Sequence, residues 1–341
     1  MATIGWDLGG AHVKAARVEG GQVTGVVQLA CPLWTELDRL PAVLAEVQAR
    51  LGPAAQHAAT MTGELADVFP TRAEGVARLA HALVQATAPA LPRLYAGRAG
   101  WLGPEDAAAH ADDVASANWH ATAALAGRFV GDALLVDVGS TTTDLIHIAA
   151  RRPAGAGYTD AERLACGELV YTGLVRTPVM ALCARAPFAG RWTGLANELF
   201  ATAADAYRLL GELPEGADAM ATADGREKTV EASRARLARM VGRDAGDASP
   251  EAWRGFAAWL AEAQLRQIAD AALLVLSRAA LPRDAPVLGA GVGRHMAERL
   301  AGRLGRPYRD YAALPPLAAA AGAADCAPAV AVALLASDDP A

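Results

Sequence analysis

An α/β fold made of two related halves is what this sequence predicts, and three observations predict it. The first is a strand, a tight turn and a strand near the start, Ile4-Gly5-Trp6-Asp7-Leu8-Gly9-Gly10-Ala11-His12-Val13-Lys14, which returns at 133–148 as ALLVDVGSTTTDLIHI. The second is the run of apolar periodicities in residues 1–130, which reads strand, strand, strand, helix, strand, helix, strand, helix. The third is length, since 341 residues exceed what one hydrophobic core usually organises.

Laying one hairpin on the other pairs Asp7 with Asp137, Gly9 with Gly139, Gly10 with Ser140, His12 with Thr142 and Lys14 with Asp144. A repeat this long points to two copies of a domain and not to a solenoid. Glycine tolerates positive φ and lets a ligand approach the backbone, so successive N–H groups in such a turn can cup an anion. Hydroxyl groups add donors to phosphate oxygens, and a carboxylate at a strand end can hold Mg2+ directly or through its waters. The expected phosphate set is Gly9, Gly10 and His12 in the first copy and Gly139, Ser140, Thr141, Thr142 and Thr143 in the second. Asp7 and Asp137 are the expected metal carboxylates, and Lys14 and Asp144 join them as catalytic candidates. A single glycine turn between strands is commonly structural, so the second copy is what gives the pattern weight.

The elements follow in order. Residues 2–8, 12–19 and 22–30 read as three strands of a meander, with turns at Gly9-Gly10 and Glu19-Gly20-Gly21. Thr35 opens a helical pattern through Leu37, Leu40, Val43, Leu44, Val47 and Leu51 that Gly52-Pro53 closes. A strand near 57–61, a helix over 71–88, a strand at Leu94-Tyr95 and a helical stretch between Pro104 and Phe129 complete the first domain, 1–130. The second domain, 131–325, starts at the repeated hairpin and carries an insertion at about 166–225, rich in turn residues and aromatics. It resumes with helices over 227–241 and 250–280. Val287-Leu288-Gly289-Ala290-Gly291-Val292-Gly293 follows, where Gly289, Gly291 and Gly293 form a third candidate phosphate turn at a helix start. The last segment, 326–341, is a helix expected to return to the first domain.

Composition narrows the class. Apolar residues make up 53% and charged residues 20%, as in a globular enzyme with a large core. A net charge of −6 argues against nucleic acid, because phosphate-backbone binding needs a basic surface. Cys31, Cys166, Cys183 and Cys326 are scattered without a CxxC pair, so neither a disulfide frame nor a zinc site is expected. Asp7 interrupts the first apolar residues and leaves no secretory signal, and the Ala-rich stretch 316–336 contains Asp325 and Pro328. The expectation is a cytoplasmic protein without a membrane partner.

The paired Asp-x-Gly hairpins and the late Gly-Ala-Gly-Val-Gly turn resemble the acetate and sugar kinase, Hsp70 and actin superfamily. The strand and helix order is that of a ribonuclease-H-like domain. The resemblance covers nearly the whole chain. It implies an α/β architecture of two ribonuclease-H-like (actin-like ATPase) domains with a central cleft and an insertion in the second domain. Finer motifs, Met61-Thr62-Gly63-Glu64-Leu65-Ala66-Asp67, Ser116-Ala117-Asn118-Trp119, 167–173 and Arg176-Thr177-Pro178, look like the hydantoinase/oxoprolinase relatives. Among these they look most like the branch linked to tetrahydromethanopterin C1 transfer. That branch implies a Mg2+-dependent transferase of methylofuran biosynthesis, coupling an aminomethylfuran diphosphate to the phenol oxygen of a tyramine or tyrosine glutamyl conjugate with release of diphosphate. Two readings compete with it: an ATP-dependent kinase or hydantoinase/oxoprolinase-type enzyme, and a nucleotide-gated protein that binds without turnover. His12 stands where many kinase relatives carry Thr or Ser, which weighs against ATP as the ligand.

The substrate side draws on the remaining polar residues. Asn118 and His120 break an Ala-rich stretch, with a helix cap as the plain alternative for them. Glu168, Tyr171 and Arg176 lie in the insertion, where specificity residues concentrate, and are the candidates for the phenol-bearing substrate. Asp7, Asp137 and Asp144 are all base candidates for the phenol proton. Lys228, Arg236, Arg239 and Arg243 share a helical face, read as solvated, with a seat for glutamyl carboxylates as the alternative. A homodimer is the assembly expected.

Overall fold

The computed structural model describes residues 1–318 and 320–339. The chain forms two compact units. The first comprises Met1–Leu135, Ile146–Arg163 and Arg309–Ala341, and the second Val136–Leu145 and Leu164–Tyr308. This division is discontinuous in sequence and differs from the expected cuts at 130 and 325.

In the first unit, β1 (Ala2–Leu8), β2 (His12–Glu19) and β3 (Gln22–Ala30) form an antiparallel meander. Their bounds are those the alternation and the two glycine turns define in the sequence. β4 (Gln56–Met61) lies parallel to β1, β5 (Arg93–Tyr95) parallel to β4, and the short β6 (Trp101–Leu102) closes the edge. The sheet order β3-β2-β1-β4-β5-β6 contains the 3-2-1-4-5 order of a ribonuclease-H-like domain. β1 is buried along nearly its whole length, which explains its continuous apolar run and places Trp6 and Leu8 in the core beside Asp7.

The expected helix from Thr35 to Leu51 is broken into α1 (Leu33–Glu36), a 3-10 turn at Leu37–Arg39 and α2 (Leu40–Leu51). Pro41 is the reason: it has no N–H for an i−4 carbonyl and crowds the preceding turn, so the helix restarts with Pro41 in its first turn. α2 then buries Leu40, Val43, Leu44, Val47 and Leu51 at helical spacing and stops at Gly52, φ 77°. α3 (Arg72–Thr87) starts where Thr71 Oγ1 accepts from the Glu74 N–H at 3.2 Å. Between Pro104 and Phe129 only α4 (Ala111–Val114) and α5 (Asn118–Gly127) are α-helical.

The second copy begins with β7 (Ala133–Val138) and β8 (Thr143–Ala149), followed by β9 (Arg152–Pro153), α6 (Asp160–Cys166) and β10 (Leu169–Val170). The insertion adds a hairpin, β11 (Arg185–Phe188) with β12 (Arg191–Gly194), and α7 (Ala203–Leu210). α8 (Val230–Met240), α9 (Pro250–Arg278), β13 (Val287–Ala290), α10 (Arg294–Leu304), β14 (Tyr308–Asp310) and α11 (Ala327–Ser337) complete the chain. The sheet runs β10-β8-β7-β13-β14, with the short β9 paired to β8 off this path, so leaving out β9 and the separate β11–β12 hairpin the strands of this copy repeat the 3-2-1-4-5 order. A buried clamp fixes the insertion: Asp205 Oδ1 accepts from Ser233 Oγ at 2.7 Å and from Arg236 Nε at 2.8 Å, while Arg236 Nη1 reaches Asp224 at 3.1 Å. The basic face of α8 is therefore not uniformly solvated, because Arg236 is buried in that clamp.

α11 belongs to the first unit and packs on β1 at Gly5, where a Cβ would strike the Ala329 carbonyl and lie 2.7 Å from Ala333 N. Its residues 327–336 are buried on all sides, which accounts for an Ala-rich stretch without polar periodicity. No described helix is long and apolar enough to cross a membrane. Gly5→Ala is expected to lower stability by about 1–3 kcal/mol through overpacking. Gly131→Ala, which meets nothing within 4 Å, is expected to stay within about 0.5 kcal/mol. Urea unfolding midpoints check both.

Candidate functional site

The two turns are built alike. In the first, Gly9 N–H donates to His12 O at 3.0 Å, and in the second Gly139 N–H donates to Thr142 O at 2.9 Å. Leu8 O accepts from Thr62 N–H at 3.0 Å, and its counterpart Val138 O accepts from Gly293 N–H at 2.9 Å. The repeat read from the sequence is thus a repeat of hydrogen bonds. Gly9, Gly10 and Gly139 do not take the left-handed conformation expected of them; Gly291 does, at φ 79°.

In the second unit the turn is backed by the 172–177 segment. Leu174 N–H donates to Gly139 O at 2.9 Å, and the Val175 and Arg176 N–H groups donate to Ser140 O at 3.1 and 2.8 Å. Gly173 lies so close that a Cβ would sit 2.5 Å from Thr141 N. With their carbonyls taken up on this side, Gly139 and Ser140 are held in one geometry. Arg176 Nη1 donates to Thr141 Oγ1 at 3.2 Å, which brings a cation to the turn itself. Gly291 closes the other side, because a Cβ there would collide with Val138 O and Asp137 Oδ1.

A buried polar chain holds that backing segment. Gln264, in the middle of α9 and 0% exposed, donates from Nε2 to Thr172 Oγ1 and Gly173 O, each at 2.8 Å. Tyr207 OH donates to Gln264 Oε1 at 2.9 Å. Thr177 Oγ1 accepts from Gly173 N–H at 2.7 Å and donates to Gly173 O at 2.9 Å. Thr172, Gly173 and Thr177 belong to motifs singled out in the sequence, but nothing there assigns them this supporting role, and Gln264 is not marked at all. Only a polar residue at a core position of a long helix could have pointed to Gln264.

The expected site residues sort as follows. Ser140, Thr141 and Thr142 lie half-buried on the second turn, but Thr143 is inside β8 and its hydroxyl donates to Thr172 O at 2.7 Å. Gly289 is in β13 and not in the turn, which comprises Gly291 to Gly293. Asp144 is buried in β8 opposite Leu169. In the first unit Asp7 and His12 are each 5% exposed, Asp7 pairs with Lys14 across β1 and β2, and Lys14 Nζ donates to Asp325 O at 3.2 Å. Glu168, expected on the substrate side, is buried in an ion pair with Arg278 at 2.8 Å. Tyr171 is exposed. Asn118 is the first residue of α5. His120 Nδ1 lies 2.8 Å from Tyr95 OH within a ring cluster that includes Trp119 and Tyr158, and burial, aided by Arg98, holds it neutral by lowering its pKa to about 4.

Sheet order and paired turns define a two-copy ribonuclease-H-like protein with phosphate-sized hairpins, and the chain belongs to the hydantoinase/oxoprolinase family, whose pattern matches residues 56–332. It is 34% identical over 243 residues to the (4-{4-[2-(gamma-L-glutamylamino)ethyl]phenoxymethyl}furan-2-yl)methanamine synthase of Methanocaldococcus jannaschii, covering 71% of this chain and 72% of that protein. A protein of the same name from Methanococcus vannielii is 34% identical over 118 residues, 35% of this chain and 53% of that one. Among solved structures, nucleotide-free acetone carboxylase shares the fold with a TM-score of 0.57 at 10% identity, over 97% of this chain and 70% of that chain.

Gln264→Leu leaves Thr172 Oγ1, Gly173 O and the Tyr207 hydroxyl short of a buried partner. The expected loss of stability is roughly 1–3 kcal/mol or more, read as a lower denaturation midpoint.

Proposed function

We propose that the chain is a Mg2+-dependent transferase of methanofuran-type cofactor assembly, methylofuran being the expected product line. It joins an aminomethylfuran diphosphate to the phenol oxygen of a glutamylated tyramine or tyrosine and releases diphosphate. The relatives' name supports the product class, since it describes a furan bearing an aminomethyl group and a phenoxymethyl ether with a glutamylaminoethyl arm. Within this chain the observation that carries the reading is the second turn, where pinned backbone, the hydroxyls of Ser140, Thr141 and Thr142, and the Arg176 guanidinium gather.

The chemistry asks for such a turn. As the furan CH2–O bond breaks, the electron pair leaves on diphosphate, and electron release from the furan oxygen stabilises the carbon left behind. Donors already fixed where that charge develops lower the barrier without reorganising. Arg176 adds a cation that stays protonated at any working pH. In the first hairpin Lys14 is the corresponding cation, and His12 in its neutral form can donate to phosphate.

Asp7 and Asp137 offer one carboxylate at the end of β1 and of β7. That fits Mg2+, which keeps several waters and takes its other ligands from phosphate; among the described residues there is no cluster of three or more His, Cys, Asp or Glu that would cage an ion. Mg2+, when bound, supplies positive charge to the departing diphosphate.

The test is incubation with the furan diphosphate, glutamyltyramine or glutamyltyrosine, and Mg2+. The ether and diphosphate are expected in equal amounts, without a requirement for ATP. Arg176→Ala is expected to lower turnover by about 10²-fold, as for loss of one preorganised donor. Phosphate-donor activity with ATP and no ether would replace this reading with that of a kinase.

A further inference from the structure

Tyr171 stands beside the second phosphate turn, and the reaction as described gives it no task. It is 61% exposed, although the main chain on either side of it is held. Before it, β10 pairs with β8, Leu169 with Asp144 and Val170 with Thr143. After it, Thr172 N–H donates to Val170 O at 2.8 Å, Thr172 O accepts from the Thr143 hydroxyl at 2.7 Å, and Thr172 Oγ1 accepts from Gln264 Nε2 at 2.8 Å. A large ring is thus presented to solvent on a fixed backbone.

The register places it. β8 and β10 run antiparallel, so the position beyond the Val170 and Thr143 pair sets Tyr171 opposite Thr142, on the turn itself. Two residues further on, Gly173 packs against Ser140 and Thr141. Arg176 Nη1 donates to Thr141 Oγ1 at 3.2 Å. Burial lowers the pKa of the Arg176 guanidinium, and Tyr171, near enough to act on it, works in the opposite direction. Hydroxyl donors, a cation and an aromatic ring therefore share one rim, and all of them belong to the second unit.

The first copy shows that the scaffold does not require an aromatic residue at this place. β2 pairs with β3 as β8 does with β10, and His12, the counterpart of Thr142, lies opposite Ala30. Leu33 N–H donates to Gly10 O at 2.9 Å, as Val175 N–H donates to Ser140 O at 3.1 Å. The two hairpins and the segments that return to them are built alike, yet a methyl group serves in one where a phenol ring stands in the other. Core packing does not explain the ring, because a side chain left mostly in water gains little from burial. A single exposed apolar residue on a surface is ordinary. A ring on a pinned backbone at the rim of an anion-sized turn is placed for a ligand.

We infer that Tyr171 is the platform for the furan ring of the diphosphate substrate and stabilises the positive charge that develops on its methylene carbon. This rests on the function proposed above. A diphosphate held at Ser140, Thr141 and Thr142 brings its ester CH2 and the furan to the rim beside Thr142, where Tyr171 stands. As the CH2–O bond breaks, its electron pair leaves on diphosphate and the furan-CH2 unit becomes cationic. The acceptor phenol oxygen then supplies the pair for the new O–CH2 bond and loses its proton to water. The face of an aromatic ring is electron-rich and attracts a cation, and offset stacking holds the furan in place. The cation is absent from the bound ester and present in the transition state, so this attraction raises kcat more than it tightens binding.

The test compares the wild-type chain with Tyr171→Phe, Tyr171→Leu and a chain carrying pentafluorophenylalanine at position 171, whose ring keeps its shape but has an electron-poor face. Diphosphate release gives kcat and KM for the furan diphosphate, and inhibition by inorganic diphosphate reports on the turn. Tyr171→Leu is expected to lower kcat by about 10-fold and to raise KM by a few-fold. Inhibition by inorganic diphosphate should stay within about twofold in every variant, because the turn and Arg176 are untouched. Tyr171→Phe should recover most of kcat, and the pentafluorinated ring should fall to the level of Tyr171→Leu. An unchanged kcat in Tyr171→Leu, a pentafluorinated chain as active as Tyr171→Phe, or an equal loss in Tyr171→Phe and Tyr171→Leu would overturn the inference. So would a parallel loss of inhibition by inorganic diphosphate, which would make Tyr171 a support of the turn. If the wild type forms the ether, any of these results removes the inference alone, whereas a wild type that forms no ether removes the function and the inference with it.

Discussion

Each copy of the domain hangs its turn from one backbone carbonyl. Leu8 O and Val138 O, the last acceptors before the two turns, are each taken by an amide beyond the end of another strand, Thr62 just after β4 and Gly293 three residues after β13, at 3.0 and 2.9 Å. A carbonyl held this way fixes the direction of the strand exit, and the amide to carbonyl bond within each turn fixes its width. Peptide groups at a strand end would otherwise satisfy themselves with water. Fixing them in protein leaves a turn whose geometry does not relax when a ligand's charge changes.

The second copy adds a supporting layer that the first does not need in the same form. There the turn lies against Gly173, Gly173 against Thr177 and Gln264, and Gln264 against Tyr207. Such a chain is stable because every member is satisfied, and a buried network rigidifies only when it is complete. In the first copy the place of the glycine turn is taken by the Gly63–Leu65 turn with the Glu64 carboxyl, so the two halves share a scaffold and differ in chemistry at the corresponding position.

Much of this was legible in the sequence. β1, β2 and β3 alternate or run apolar between glycine turns, and their bounds coincide with those read from the letters. The turn repeat was legible too, because Asp, Gly and hydroxyl residues recur at matched spacing. Other features depend on contacts that no local pattern records. Pro41 divides a helix whose apolar spacing looks continuous. Thr143 carries the same hydroxyl as Thr142 but points to Thr172. Glu168 reads as a substrate residue of the insertion and Arg236 as part of a solvated helical face, yet both are buried, each paired with a partner distant in sequence, Arg278 or Asp205. Glu64 shows up in sequence only as one letter of a family-like motif, since its contact with Ser116, which also reaches Asp160, is made by the fold.

The central claim is that the Gly139 to Thr142 turn, pinned by Leu174, Val175, Arg176 and Gly293, is where the leaving phosphate is held. A crystal structure of the chain with inorganic diphosphate and Mg2+ tests it most directly. The account predicts a diphosphate bound against the Ser140, Thr141 and Thr142 peptides, with the Arg176 guanidinium in contact. Diphosphate bound elsewhere, with that turn touching only solvent, would contradict it.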